Sequence, residues 1–171
     1  LGRELLDRDD PPVTVLLLWA ANPVLSNPDQ QRVRAGLARE DLFTVAVDHR
    51  LTDTARYADI VLPGTTQLEH LDLTESYSHL YVQWNEPAVP PPGECRSHTE
   101  IFRGLARALG VSEPAVYADD LELARAALDS PAMAGITPES LRRNGWQRLP
   151  RPDPFLPFAA GFATPSGRFE F

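Results

Sequence analysis

Residues 42–64 read L-F-T-V-A-V-D-H-R-L-T-D-T-A-R-Y-A-D-I-V-L-P-G. Leu42 to Val47 is apolar and β-rich, which predicts a strand. Asp48-His49-Arg50-Leu51 leaves that strand, and Thr52 to Tyr57 predicts a short helix. Asp59 to Leu62 predicts another strand, stopped by Pro63-Gly64. A strand, a short crossover and a second strand of this kind belong in a parallel sheet.

The upstream residues extend the pattern. Val13 to Trp19 (V-T-V-L-L-L-W) follows Pro11-Pro12 and is continuously apolar. Such a run reads as a strand buried on both faces. A loop follows through A-A-N-P-V-L-S-N-P. A helix is expected from Pro28, with Asn27 as its N-cap, Asp29 in the first turn, and Val33 and Leu37 on one face. Residues 1–10 are charged around Leu5-Leu6 and fit the end of a helix. The order is thus strand, helix, strand, helix, strand: an open, mostly parallel α/β sheet with flanking helices.

Downstream the pattern loosens. Tyr77 to Trp84 is expected to be extended, and Glu86 to Glu94 is a proline-stiffened loop. Ser97 to Leu109 carries the clearest helix signal. Ser97 and Glu100 form a capping box, Ile101, Phe102, Leu105 and Leu109 form a stripe, and Gly110 closes it. Weaker helices are expected near Asp119–Leu128 and Pro138–Asn144. T-P-S-G-R-F-E-F at the end reads as a turn entering a strand. The division is therefore 1–110 as an α/β domain and 111–171 as a helical, proline-rich extension.

Composition narrows the function. The chain has 171 residues, a formal net charge of -8, one Cys and 17 Pro. That acidity argues against nucleic acid, whose phosphates need a basic face. One Cys excludes a disulfide framework, a four-Cys zinc site and a self-contained iron–sulfur cluster. No apolar run approaches the roughly 20 residues that span a bilayer. All 16 basic residues are Arg, so neither a phosphate-loop lysine nor a Schiff-base lysine is available. The chain opens at Leu1, and its only Met is Met133, as expected for a piece of a longer protein.

In an open parallel sheet, ligands bind outside the carboxyl ends of the strands. The three predicted strands deliver Asn22, then Asp48, then Thr65, Thr66, Gln67 and Glu69 to that edge. An amide donates and accepts, a carboxylate takes paired donors from a ribose or a guanine edge, and the helix end near Pro28 offers N–H groups to an anion. These groups suit a nucleotide-like ligand. They equally suit plain turn and cap duties, and the residues alone do not decide between the two. No G-x-G-x-x-G follows the first strand and no phosphate-loop motif occurs. No G-x-S-x-G elbow or H-E-x-x-H occurs, and His49, His70, His79 and His98 share no ligand spacing, so no catalytic or metal-ligating residue is assigned. Cys95 reads as an ordinary small residue, and Trp19, Trp84 and Trp146 as packing groups.

Five stretches, in order, resemble a known family: W-A-A-N-P, D-L-F-T-V-A-V-D, T-D-T-A-R-Y-A-D-I-V-L-P-G-T-T-Q-L-E-H, P-P-P-G-E-C-R-S-H-T-E-I-F and L-A-R-A-L-G. Between Trp19 and Gly110 the chain resembles the third domain of the molybdopterin oxidoreductases. The later N-G-W and F-A-T-P-S-G-R-F-E-F look like the approach to that family's final barrel domain. The resemblance implies a cofactor-binding part of an enzyme that transfers oxygen atoms or electron pairs on a small substrate. Its cofactor would be bis-molybdopterin guanine dinucleotide with molybdenum or tungsten.

By the same resemblance, Asn22 lies in an Asn-Pro turn against the cofactor. Val47 and Asp48 meet its guanosine part. Glu69 and His70 follow the L-P-x-T-T turn at a cofactor contact. His98 stands where many members carry a cofactor-binding Asp. The metal ligand, and an iron–sulfur cluster, would lie upstream of Leu1. The implied partners are the remaining domains of the parent chain and electron-transfer subunits, with no nucleic acid and no direct membrane insertion. The implied location is cytoplasmic, or extracytoplasmic if a twin-Arg signal precedes Leu1. The alternative is a structural module of a respiratory complex that keeps the fold without molybdenum.

Overall fold

The computed structural model describes residues 1–170. Contacts divide the chain into two compact units, one of residues 1–72 with 85–123 and one of residues 73–84 with those from 124 onward.

The first unit holds a three-stranded parallel sheet of β1 (Val15–Trp19), β2 (Phe43–Asp48) and β3 (Ile60–Pro63), in that order. Its register sets Trp19 beside Val47 and Asp48 beside Pro63, so the three strands end together. One further parallel bridge, between Gly64 and Arg96, extends the sheet past β3. Helices α1 (Gly2–Asp7) and α3 (Gln30–Leu37) cover one face. There Leu5, Leu18, Val24, Val33, Leu37, Leu42, Ala46 and Ala55 form the core. Two glycines bring those helices close. A Cβ on Gly2 would lie 2.7 Å from the Arg32 backbone, and one on Gly36 would lie 2.7 Å from the Leu5 Cβ.

The opposite face corrects the expectation for β1. Val15, Leu17 and Trp19 alternate with inward neighbours, and Val15 is 64% exposed and Trp19 53% exposed. Phe43 and Ile60 continue the same open face in register. A continuous apolar run does not report which face has a partner; here α4 (His98–Ala108) reaches only the end of that face. Phe102 of α4 meets Trp19 edge-on, with ring centroids 5.0 Å apart.

The capping box forms as read: the Ser97 side chain accepts from Glu100 N, and Glu100 accepts from Ser97 N. Leu109 falls outside the buried stripe at 78% exposure, and Ala106 is buried instead. Gly110 follows the helix at φ +68°, the left-handed turn that suits glycine.

The helix after Asn27-Pro28 starts later than expected. Asp29, at φ 54°, is its N-cap and accepts from Arg32 N, so an acid of the chain already caps that helix end. Asn27 instead closes a one-turn helix α2 (Pro23–Ser26) inside the stretch read as a loop. The crossover from β2 to β3 contracts to a 3-10 turn at Ala55–Tyr57.

Contacts carry the first unit past residue 110, the border read from composition. Thr99 donates to Asp120 at 2.7 Å and Arg103 pairs with the same carboxylate. This anchors the start of α5 (Asp120–Leu128) on α4.

The second unit contains most of a small sheet of β4 (Asp72–Thr74), β5 (Tyr81–Asn85) and β6 (Trp146–Arg148). β5 and β6 pair antiparallel. Helix α6 (Pro138–Asn144) starts from a Thr137–Ser140 capping box and carries the fully buried Leu141. Residues 164–170 form a turn held by Gly167 N to Thr164 O rather than entering a strand, and Phe171 lies outside the described residues.

Candidate functional site

The carboxyl ends of β1, β2 and β3 deliver Asn22, Asp48 and Gly64 respectively. Asp48 is the last residue of β2, and its side chain is only 10% exposed. Its Oδ1 accepts from His49 N at 2.8 Å and from Arg50 N at 3.4 Å, which ties down the turn that follows. Its second oxygen has no hydrogen-bond partner among the described residues. Asp48 thus caps its own turn and still offers one acceptor.

Gly64 sits where the chain needs no side chain. An added Cβ would stand 3.0 Å from His98 Nε2 and 3.8 Å from the Asp48 carbonyl carbon. The His98 ring therefore packs directly on the backbone at residue 64, an approach that glycine allows. His98 opens α4, and Trp19 packs edge-on against its ring, with centroids 5.5 Å apart. Burial lowers the His98 pKa below the usual 6.5, and the nearby His70 and His49 lower it further, against the opposing pull of Asp48 and Asp72. His98 thus senses two other imidazoles and two carboxylates.

His70 belongs to this group. Its Nδ1 shares a 2.8 Å hydrogen bond with the buried Thr65 hydroxyl, and its Nε2 lies 3.9 Å from Asp72. Asn85 donates to its carbonyl, which fixes the backbone of that turn.

Two other predicted residues serve the local fold. Glu69 accepts from Thr66 N at 2.8 Å and closes its own turn. Val47 has its side chain buried in the sheet, and its carbonyl accepts from Ala20 N. It holds β1 to β2 and presents no free polar group.

Asn22 lies in the turn after β1. Its Oδ1 accepts from the Thr54 hydroxyl at 2.6 Å and from Thr54 N at 3.3 Å. Thr54, fully buried, also accepts from Val24 N. Sequence reasoning read Trp19 as a packing group, as found, and passed over Thr54 and Gly64. The T-D-T run and the Pro-Gly stop were visible, but they read as crossover and strand end. Among the described residues no group of His, Cys, Asp and Glu is placed to hold a metal ion. No described helix is long and apolar enough to cross a membrane.

An open parallel sheet with an amide and a carboxylate at its strand ends is an α/β module of the kind that takes ligands at that edge. The comparisons agree and are more specific. Residues 8–108 match the family model described as molybdopterin oxidoreductase, and this chain belongs to that family.

Over 173 residues it is 43% identical to the probable oxidoreductase YoaE of Bacillus subtilis (strain 168), a match covering 99% of this chain and 25% of that protein. It is 33% identical to the assimilatory nitrate reductase catalytic subunit of the same organism, covering 95% of this chain and 24% of that one. Among solved structures, acetylene hydratase from Pelobacter acetylenicus superposes with a TM-score of 0.76 at 27% identity, over 98% of this chain and 23% of that one. The chain thus spans about a quarter of the length of these relatives.

Family membership implies a molybdenum or tungsten pterin cofactor. The donor set fits one arm of such a group. The Asp48 oxygen suits an N–H or hydroxyl donor, and the Asn22 amide suits an oxygen acceptor.

Proposed function

We propose that the first unit holds the guanosine diphosphate arm of a bis-molybdopterin guanine dinucleotide in a molybdenum- or tungsten-dependent oxidoreductase. When bound, that cofactor supplies the metal centre at which an oxygen atom or an electron pair is exchanged with a small substrate. The residues of this chain bind and orient. Asp48 accepts from the base or ribose, Asn22 donates to an acceptor on the arm, and His98, backed by Trp19, borders Asp48. No residue here is assigned to the chemical step. An iron–sulfur cluster, the metal ligand and electron-transfer partners belong, in this reading, to other parts of the parent protein.

The observation that carries the reading is Asp48. It is a nearly buried carboxylate at the carboxyl end of the central parallel strand, with one oxygen committed to the fold and one left over. The test uses the full-length protein from its native host, with the metal counted by mass spectrometry and released pterin by fluorescence. Wild type should hold about one metal with two pterins per chain. Asp48→Ala should lower both. Full occupancy in Asp48→Ala would sink the assignment, and folded wild type without metal or pterin would favour a structural module.

A further inference from the structure

A side-chain amide can present either its oxygen or its NH2 to a ligand, and the two faces select opposite chemistry. At Asn22 the surrounding bonds leave no choice. Val24 N–H only donates, so Thr54 Oγ1 accepts it, at 3.0 Å. The Thr54 hydroxyl proton is then directed to Asn22, 2.6 Å away. Thr54 N–H, which also only donates, points to the same Asn22 atom at 3.3 Å. Two donors converge on one atom, so that atom is the carbonyl oxygen. The NH2 faces away from Thr54 and makes no hydrogen bond among the described residues. Thr54 is fully buried, so no solvent competes for its hydroxyl.

We propose that Thr54 is a positioning residue that fixes the polarity of Asn22, so that the end of β1 presents a hydrogen-bond donor and selects an acceptor, best matched by a phosphate oxygen of the cofactor arm. The inference rests on the cofactor reading above. It narrows that reading, because an Asn free to turn would take donors as readily as acceptors.

The test measures pterin retained by the full-length protein after timed gel filtration. A donor hydrogen bond to a charged phosphate is worth about tenfold or more in retention. Asn22→Ala, Asn22→Asp and Thr54→Val should therefore each lose pterin about tenfold faster than wild type, and Thr54→Ser should behave as wild type. Thr54→Val also unpairs Val24 N–H, so the variant is repeated on Asn22→Ala. If Thr54 acts through Asn22, the second substitution changes retention little further.

A full additional loss on the Asn22→Ala background, or wild-type retention in Thr54→Val alone, overturns the proposal. Asn22→Asp keeps the oxygen that Thr54 needs and replaces the donor with an acceptor. Wild-type retention in that variant overturns the proposal even if Thr54→Val fails to fold. Loss in Asp48→Ala with wild-type retention in Asn22→Asp removes this inference alone. Wild-type retention in Asn22→Ala and Asp48→Ala together removes the cofactor reading as well.

Discussion

Trp19 and His98 meet edge to face, at an interplanar angle of 87°, across the end of the open sheet face. The contact helps bury an imidazole that α4 would otherwise present to water, and burial is the main reason its pKa falls below 6.5. The unfolded chain then binds a proton that the folded chain resists. Stability is complete above pH 6.5 and falls as the pH drops from there toward the lowered value. Repulsion from His70 and His49 lowers the His98 pKa further, while Asp48 and Asp72 pull the other way. His98→Asn should flatten the acid limb of the thermal midpoint measured from about pH 7.5 to about pH 5. An acid limb as steep as that of wild type would assign the loss to other groups.

Gly36 sets the distance between α1 and α3. Its added Cβ would overlap Leu5, which is 1% exposed at the centre of the core. Gly36→Ala should destabilise by about 1–3 kcal/mol despite alanine's better helix propensity. Chemical denaturation reads this directly, and a neutral or stabilising result would show that α1 shifts freely.

Gly64→Ala addresses the site instead. The methyl group presses on His98 Nε2 from 3.0 Å, and the ring must give way. We expect a loss of pterin retention in the full-length protein with little change in thermal midpoint. A midpoint drop as large as that of Gly36→Ala, with retention intact, would make Gly64 a folding residue only.

The open face of β1 makes a fourth prediction. Val15, Leu17, Trp19, Phe43 and Ile60 present exposed apolar surface, and β1 has no strand on its outer edge among the described residues. Residues 1–171 produced alone should self-associate. Leu17→Lys should reduce that association. Sedimentation velocity distinguishes the two, and a clean monomer in the unsubstituted chain would contradict the expectation.

The three parallel strands and the Ser97–Glu100 box were legible because each rests on local chemistry: β-branched runs, turn residues, a hydroxyl three positions before a glutamate. Asp48 was legible as the polar residue ending a strand. What escaped was set by distant partners. The exposure of Val15 and Leu17 depends on which helices reach that face. The bond from Thr66 N to Glu69 that closes their turn forms only once the chain folds back on itself there. Asp29 took the cap from Asn27 by adopting a left-handed backbone that its sequence neighbours do not demand. Thr54 was hidden because its meaning lies with Asn22, across the end of the sheet.

The single bridge between Gly64 and Arg96, with Thr65 N bonded to Arg96 O and Arg96 N to Pro63 O, separates distance along the chain from distance in space. Everything between its two sides is an excursion whose length the bridge does not sense. Lengthening the exposed tip around Pro90–Gly93 would leave His98 in place beside Gly64. That tip is thus free to diversify while Gly64 and His98 stay locked together.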